Sequence, residues 1–119
     1  MSLSQLDFIR HILNEVVFIE TAMKNKSIND IETDLLLQKA VVRSLEVIGE
    51  ATKRLDAVFR LKYPAVDWRA MAGTRDKLIH DYFEVDLELV FDIVVSHLPS
   101  LKIHLLHIIE TESENKNLP

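Results

Sequence analysis

Eight consecutive residues, Arg75-Asp76-Lys77-Leu78-Ile79-His80-Asp81-Tyr82, bring together a permanently charged guanidinium, an imidazole and a phenol. Imidazole takes and gives protons near neutral pH, and guanidinium grips a phosphate through two parallel hydrogen bonds. The pair suits cleavage of RNA by its own 2′-hydroxyl. His80 would act as general base or acid, and Arg75 would stabilise the charge growing on the phosphoryl oxygens, with no metal required. The plainer alternative is a salt-bridged, hydrogen-bonded helix terminus, and composition and periodicity do not decide between the two. On a regular helix, at 100° per residue, Arg75 and Tyr82 fall about 20° apart while Arg75 and His80 fall about 140° apart. Arg75 and His80 then share a phosphate only through a distorted helix end, the reach of Arg, or a second chain contributing its own copy.

The elements that must position these residues are helical. Ile9, Ile12, Leu13, Val16, Ile19 and Met23 recur at intervals of three and four across residues 4–24, which predicts an amphipathic first helix. After a polar stretch at residues 25–30, the pattern resumes through Leu37, Val41, Leu45, Ile48, Thr52, Leu55 and Phe59 and predicts a helix of about 30 residues. Gly49 lies inside it at a cost of about 1 kcal/mol relative to Ala, which implies that another backbone packs closely there. Pro64 interrupts the pattern, and Asp67 is the expected cap of a short third helix containing Trp68, Met71, Ala72, Leu78 and Ile79. A further start at Asp86 is framed by Val85 and Val90 as a hydrophobic staple. Leu87, Phe91, Val94, Leu98, Leu101, Leu105 and Ile108 line one face of the helical run that begins there, and Pro99 is expected to kink or divide that run. Residues 111–119 read as a polar, frayed tail, leaving 1–110 as one domain. No segment alternates with a strand's period for long, so the expected fold is all-α, an antiparallel bundle of four or five helices.

Composition narrows the function classes. The 119 residues are 48% hydrophobic and 28% charged, the balance of a globular domain, and only 2 Gly and 3 Pro leave little material for tight turns. The lack of Cys excludes disulfides, thiolate metal sites and cysteine nucleophiles. No apolar run approaches the ~20 residues that span a bilayer, and no signal-peptide pattern opens the chain, so a cytoplasmic location is expected. The formal charge of -5 argues against generic nucleic-acid binding, although a transient RNA substrate is compatible with it. Lys53, Arg54, Arg60 and Lys62 form a locally basic stretch, more simply read as a solvated helix face. Tyr63, Trp68 and Phe83 could stack on bases but more often such residues are core or interface. His104 and His107, three apart, lack a convincing third metal ligand and read as an exposed pair.

Arg75, four residues, His80, one residue and Tyr82 reproduce the RX4HXY motif of HEPN toxins of the HepT-like kind. Ile48-Gly49-Glu50-Ala51, Pro64, Trp68, Val85-Asp86 and Leu98-Pro99 with Leu101 resemble the same family in the same order along nearly the whole chain. The resemblance implies a HEPN-like helical bundle in which two protomers bring their motifs into one cleft. It implies the toxin of a type VII toxin-antitoxin pair, a metal-independent endoribonuclease without cofactor, with Arg75 and His80 as the catalytic pair. It further implies that a cognate minimal nucleotidyltransferase antitoxin silences the toxin by transferring AMP onto Tyr82. The alternative is a non-catalytic helical partner of such a nucleotidyltransferase. Asp76 stands where many relatives carry Asn, and Asp81 where many carry Gly. A carboxylate beside His80 could raise its pKa or weaken phosphate binding. Glu50, next to the helix glycine, is either an orienter of Arg75 or a plain surface acid.

Overall fold

The computed structural model of the chain describes residues 3–79 and 84–116. Its first helix starts where Ser4 and Asp7 cap each other: the Ser4 N–H donates to the Asp7 carboxylate (2.9 Å) and the Asp7 N–H to the Ser4 hydroxyl (3.1 Å). Groups that the helix start would leave open are thereby satisfied. In this helix, α1 (Gln5–Ala22), the expected spacing holds, and Leu6, Ile9, Ile12, Val16 and Ile19 are all buried. Asn25 turns the chain at φ 60°, a conformation asparagine tolerates. Ser27 and Asp30 then repeat the reciprocal cap and start a short helix, α2 (Ile28–Thr33), across the stretch read as a polar connection. Ile31 is its one fully buried anchor.

Asp34 accepts the Leu37 N–H (3.1 Å) and starts α3 (Leu35–Lys53). This helix packs antiparallel to α1. The buried Ser44 hydroxyl donates to the Glu15 carboxylate at 2.5 Å in mid-helix, and the Gln5 side-chain oxygen at the head of α1 accepts the Asp56 N–H (2.8 Å) just beyond the foot of α3. The expected helix of about 30 residues is in fact two. The Leu55 N–H turns back to the Thr52 carbonyl (3.1 Å), and Asp56 accepts the Phe59 N–H (2.8 Å) to start α4 (Ala57–Lys62). Leu55 and Phe59 both remain in the core, so the apolar spacing runs on across a break that it does not register.

Asp67 caps α5 (Trp68–Ala72) as expected, accepting the Ala70 N–H (3.0 Å), but this helix stops at Gly73 and α6 (Thr74–Leu78) begins anew. Trp68 is buried and its indole N–H lies within hydrogen-bond reach of the carbonyls of Tyr63 (3.0 Å) and Arg60 (3.2 Å), which makes it a core anchor and not a stacking platform. The close packing inferred at Gly49 is present. A Cβ there would lie 3.2 Å from the Met71 carbonyl oxygen of α5.

Asp86 accepts the Leu89 N–H (3.0 Å) and starts α7 (Leu87–Asp92). The chain then passes through a π-helical turn, Ile93–His97, into α8 (Leu98–Lys116). Pro99 does not divide the run. The widened turn just before it, in which the Leu98 N–H donates to the Ile93 carbonyl five residues back, absorbs the register change at the residue that cannot donate. Leu87–Asn115 is therefore one helix of 29 residues, with a window of mean hydropathy 1.5 that is long and apolar enough to cross a membrane by length and composition. Val90, Leu98, Leu105 and Ile108 on its inner face join the core, and Lys102 pairs with Glu20 (3.2 Å) near the end of α1. Beyond residue 110 the helix continues to Lys116, because Glu112 ties it to the domain by pairing with Lys62 (2.9 Å) and accepting the Tyr63 hydroxyl. The result is an all-α bundle of 54 × 28 × 28 Å, with α1 against both α3 and α8 and the short α5 and α6 laid on α3.

This packing sets two expectations for stability. Gly49→Val should destabilise the fold by about 1–3 kcal/mol through overpacking. Gly73→Ala, whose new methyl meets nothing closer than 3.5 Å, should be neutral or slightly stabilising; urea unfolding of both variants checks the pair. Burial, followed by the hydrogen bond and charge of Glu112, raises the Tyr63 phenol well above its ordinary value near 10. A raised pKa in the folded state means that this contribution is fully present below about pH 10 and is lost as pH climbs above it. Thermal melts should therefore fall more steeply for the wild type than for Tyr63→Phe as pH rises above about 10.

Candidate active site

Arg75 sits in the first turn of α6, which Thr74 fastens to α5 by donating its hydroxyl to the Ala70 carbonyl (3.0 Å). From there the guanidinium reaches α3, and its Nε lies 3.2 Å from Oε2 of Glu46. The Glu46 side chain is only 17% exposed and that of Arg75 is 63% exposed, so a nearly buried carboxylate holds the inner edge of a cation that faces solvent. The same carboxylate oxygen is 3.9 Å from Arg43, whose Nη1 is 3.4 Å from Glu50. Arg43, Glu46 and Glu50 stand on adjacent turns of α3, where residues three and four apart are neighbours. Pairing through Nε leaves the two terminal amino groups of Arg75 for a phosphate, the geometry that bidentate recognition uses.

Sequence reasoning missed Glu46 and Arg43. It weighed Glu50 as the orienter of Arg75, but Glu50 pairs with Arg43. Spacing along α3 places Glu46 and Glu50 on one face. Only the position of α6 across that face determines which of them meets Arg75.

The helix carrying Arg75 ends at Leu78. Ile79 is extended (φ -111°, ψ 105°) and forms an isolated antiparallel bridge with Val85, and the Asp86 N–H donates to the Leu78 carbonyl (2.8 Å). The chain thus leaves α6 and returns to it at paired residues. The 100° spacing of a regular helix therefore applies along α6 only as far as Leu78. His80, Asp81, Tyr82 and Phe83 lie outside the described residues. Asp76 and Lys77 are exposed on α6.

The remaining candidates separate clearly. His107 is exposed, whereas His104 is half-buried and faces a groove beside α6. Among the described residues no group of three or more His, Asp or Glu is placed to hold a metal ion. Of the locally basic stretch, Arg60 donates to the Thr52 carbonyl (2.7 Å) and Lys62 pairs with Glu112, while Lys53 and Arg54 are exposed.

Comparison with known proteins identifies the family. The family described as ribonuclease HepT-like matches residues 12–108. The chain belongs to the HepT-like family. It is 40% identical over 105 residues to a "Putative RNase" of Caldanaerobacter subterraneus subsp. tengcongensis, covering 88% of this chain and 94% of that one. It is 39% identical over 102 residues to a "Probable ribonuclease HepT" of Thermococcus cleftensis, covering 86% and 93%. A Methanocaldococcus jannaschii protein named "Gamma-glutamylcyclotransferase and putative RNase" is 43% identical over 110 residues, which is 92% of this chain and 50% of that protein, so the chain spans half the length of this relative. No solved structure matches the chain significantly. The ribonuclease family makes RNA the substrate class to which the site must answer, and a HEPN-like helical bundle is the fold that the chain adopts.

Because one partner of the Glu46–Arg75 pair is largely solvated, screening keeps its contribution to stability small, at about 0–1 kcal/mol. Glu46→Gln should therefore unfold in urea within about 1 kcal/mol of the wild type. In the same variant, the Arg75 Nε–H resonance in a ¹⁵N spectrum should broaden or exchange faster.

Proposed function

We propose that the chain is the toxin of a HEPN/nucleotidyltransferase toxin-antitoxin pair, a cytoplasmic, metal-independent endoribonuclease built on Arg75 and His80. The observation that carries this reading is the guanidinium of Arg75, paired with Glu46 at 3.2 Å, on the helix that opens the RX4HXY motif. In the reaction, His80 takes the proton of a ribose 2′-hydroxyl and the resulting oxygen attacks the adjacent phosphorus. The bond to the 5′-oxygen of the next nucleotide breaks, and that oxygen regains a proton. The products are a 2′,3′-cyclic phosphate and a 5′-hydroxyl end. Arg75 neutralises the non-bridging oxygens as charge accumulates on them.

The protein acts as a homodimer whose interface includes residues 68–82, with two-fold pairing of the motif segments in one cleft. The cognate nucleotidyltransferase silences it by moving AMP onto Tyr82, which adds bulk and negative charge where a substrate phosphate must bind. The second reading, a non-catalytic partner of the nucleotidyltransferase, draws support from the acids Glu46 and Glu50 around the candidate cation and from the net charge of -5.

The two readings part in one set of measurements on purified protein and expressing cells. Arg75→Ala and His80→Ala should each abolish RNA cleavage and growth arrest with helical content retained, and EDTA should leave cleavage unchanged. Sequencing of RNA ends should find new 5′-hydroxyl termini only with the intact motif. Light scattering should report dimers at micromolar concentration. Mass spectrometry after co-expression should find AMP on Tyr82, and Tyr82→Phe should escape silencing. Full activity of either alanine variant, or cleavage that stops on chelation, would remove the mechanism. Full neutralisation with unmodified Tyr82 would remove the AMP transfer alone.

A further inference from the structure

On the flank of α6 away from Glu46 lies a groove of about 380 Å³ between α3, α5 and α6 on one side and the α7–α8 helix on the other. That volume falls within the range of small-ligand sites. Its lining is divided by chemistry. Leu45, Ile48, Met71 and Leu101 supply apolar surface, while Lys77, His97 and His104 bring nitrogen donors to the groove. Asp67 is the acid among the lining residues, and its Oδ1 already accepts the Ala70 N–H as the cap of α5. His97 pairs with Asp92 at 3.4 Å, so Lys77 and His104 are the better anion partners.

The π-helical turn contributes to this arrangement. It inserts an extra residue into the turn at Ile93–His97, and Ile93, His97, Leu101 and His104 all line the groove, at spacings of four, four and three. Such turns recur at functional sites. Lys77 and Arg75, two apart on α6, point to opposite flanks of it by about 200°.

We propose that this groove is a nucleotide subsite for the single-stranded RNA substrate, holding the base of a nucleotide near the scissile phosphate against its apolar floor while Lys77 and His104 engage that nucleotide's phosphate. The proposal rests on the ribonuclease reading of Arg75 and His80 and adds to it where the strand runs. The chemistry fits a nucleotide on both counts, since an aromatic base is apolar on its faces and single strands are held by stacking or packing surfaces combined with cations. RNA bound at Arg75 would cross α6, about one helix width, to reach it.

The test is fluorescence anisotropy with a single-stranded 2′-O-methyl oligonucleotide, which the enzyme cannot cleave, titrated at several salt concentrations alongside light scattering of each protein. Lys77→Ala and His104→Ala should each weaken binding roughly three- to tenfold, and Lys77→Ala should also flatten the dependence of log K on log salt by about 0.7. Ala70→Leu, which fills the groove without touching a charge, should weaken binding and leave the salt slope unchanged. Lys39→Ala, an exposed cation elsewhere on α3, should bind as the wild type. Wild-type affinity and slope in all three groove variants would overturn the subsite while leaving the ribonuclease reading intact. So would a loss of subunit association in those variants, which would assign the groove to a second copy of the chain. Wild-type protein that neither binds nor cleaves RNA would overturn the ribonuclease reading itself, and this is seen before any variant is compared.

Discussion

The approach of the Met71 carbonyl to Gly49 is the constraint on which the rest of the site depends. A glycine in the middle of a 19-residue helix costs about 1 kcal/mol of helix propensity, and here the missing side chain is what lets the backbone of α5 lie against α3. Once α5 is seated there, Gly73 ends it and α6 starts immediately, with Arg75 in its first turn. Glu46 is three residues before Gly49 on α3, one turn away, so the depth at which α5 sits sets whether the guanidinium meets that carboxylate. A Cβ at 49 would stand 3.2 Å from the Met71 carbonyl oxygen, so a larger residue there requires α5 to shift.

A second constraint acts at the other end of α6. A five-residue helix has few internal hydrogen bonds, and at Ile79, a β-branched residue that favours extended backbone, the chain turns to pair with Val85. The Leu78 carbonyl, one of the acceptors left open at a helix end, takes the Asp86 N–H. Arg75 is therefore carried on a helix, and the residues that complete the motif come after that helix has ended.

What was legible in the sequence depends on which interactions are local. The caps at Asp67 and Asp86 and the apolar faces of α1 and α8 are written in residues a few positions apart, the close approach at Gly49 shows as a glycine inside a helical pattern, and the structure contains each of them. The break after Lys53 was hidden because Leu55 and Phe59 stay in phase with the helix before them, although Asp56 was available as a cap. The uninterrupted path through Pro99 was hidden for the opposite reason, since a π turn supplies slack that a residue-by-residue rule does not foresee. At the candidate site, Arg75 was singled out by its motif. Glu46 was not, because an acid on a helix face has no signature until a separate element is laid over it.

Electrostatics then sets how such a site can work. A chain of net charge -5 offers RNA little general attraction, and the carboxylates of Glu46 and Glu50 lower it further beside Arg75. Glu46, however, is only 17% exposed and stands 3.2 Å from the Nε of Arg75, so its charge faces one edge of a guanidinium that is itself 63% exposed. Arginine suits that division of labour better than lysine, since its planar fork can be held at one edge and still present two donors at another. On the proposed ribonuclease reading, binding at this site would rest on a few directed contacts instead of a diffuse basic surface. Under the proposed function, a phosphate that reaches this flank of α6 without meeting the guanidinium meets the acids Glu46 and Glu50 instead, so the acidic surroundings favour the geometry that places it on Arg75.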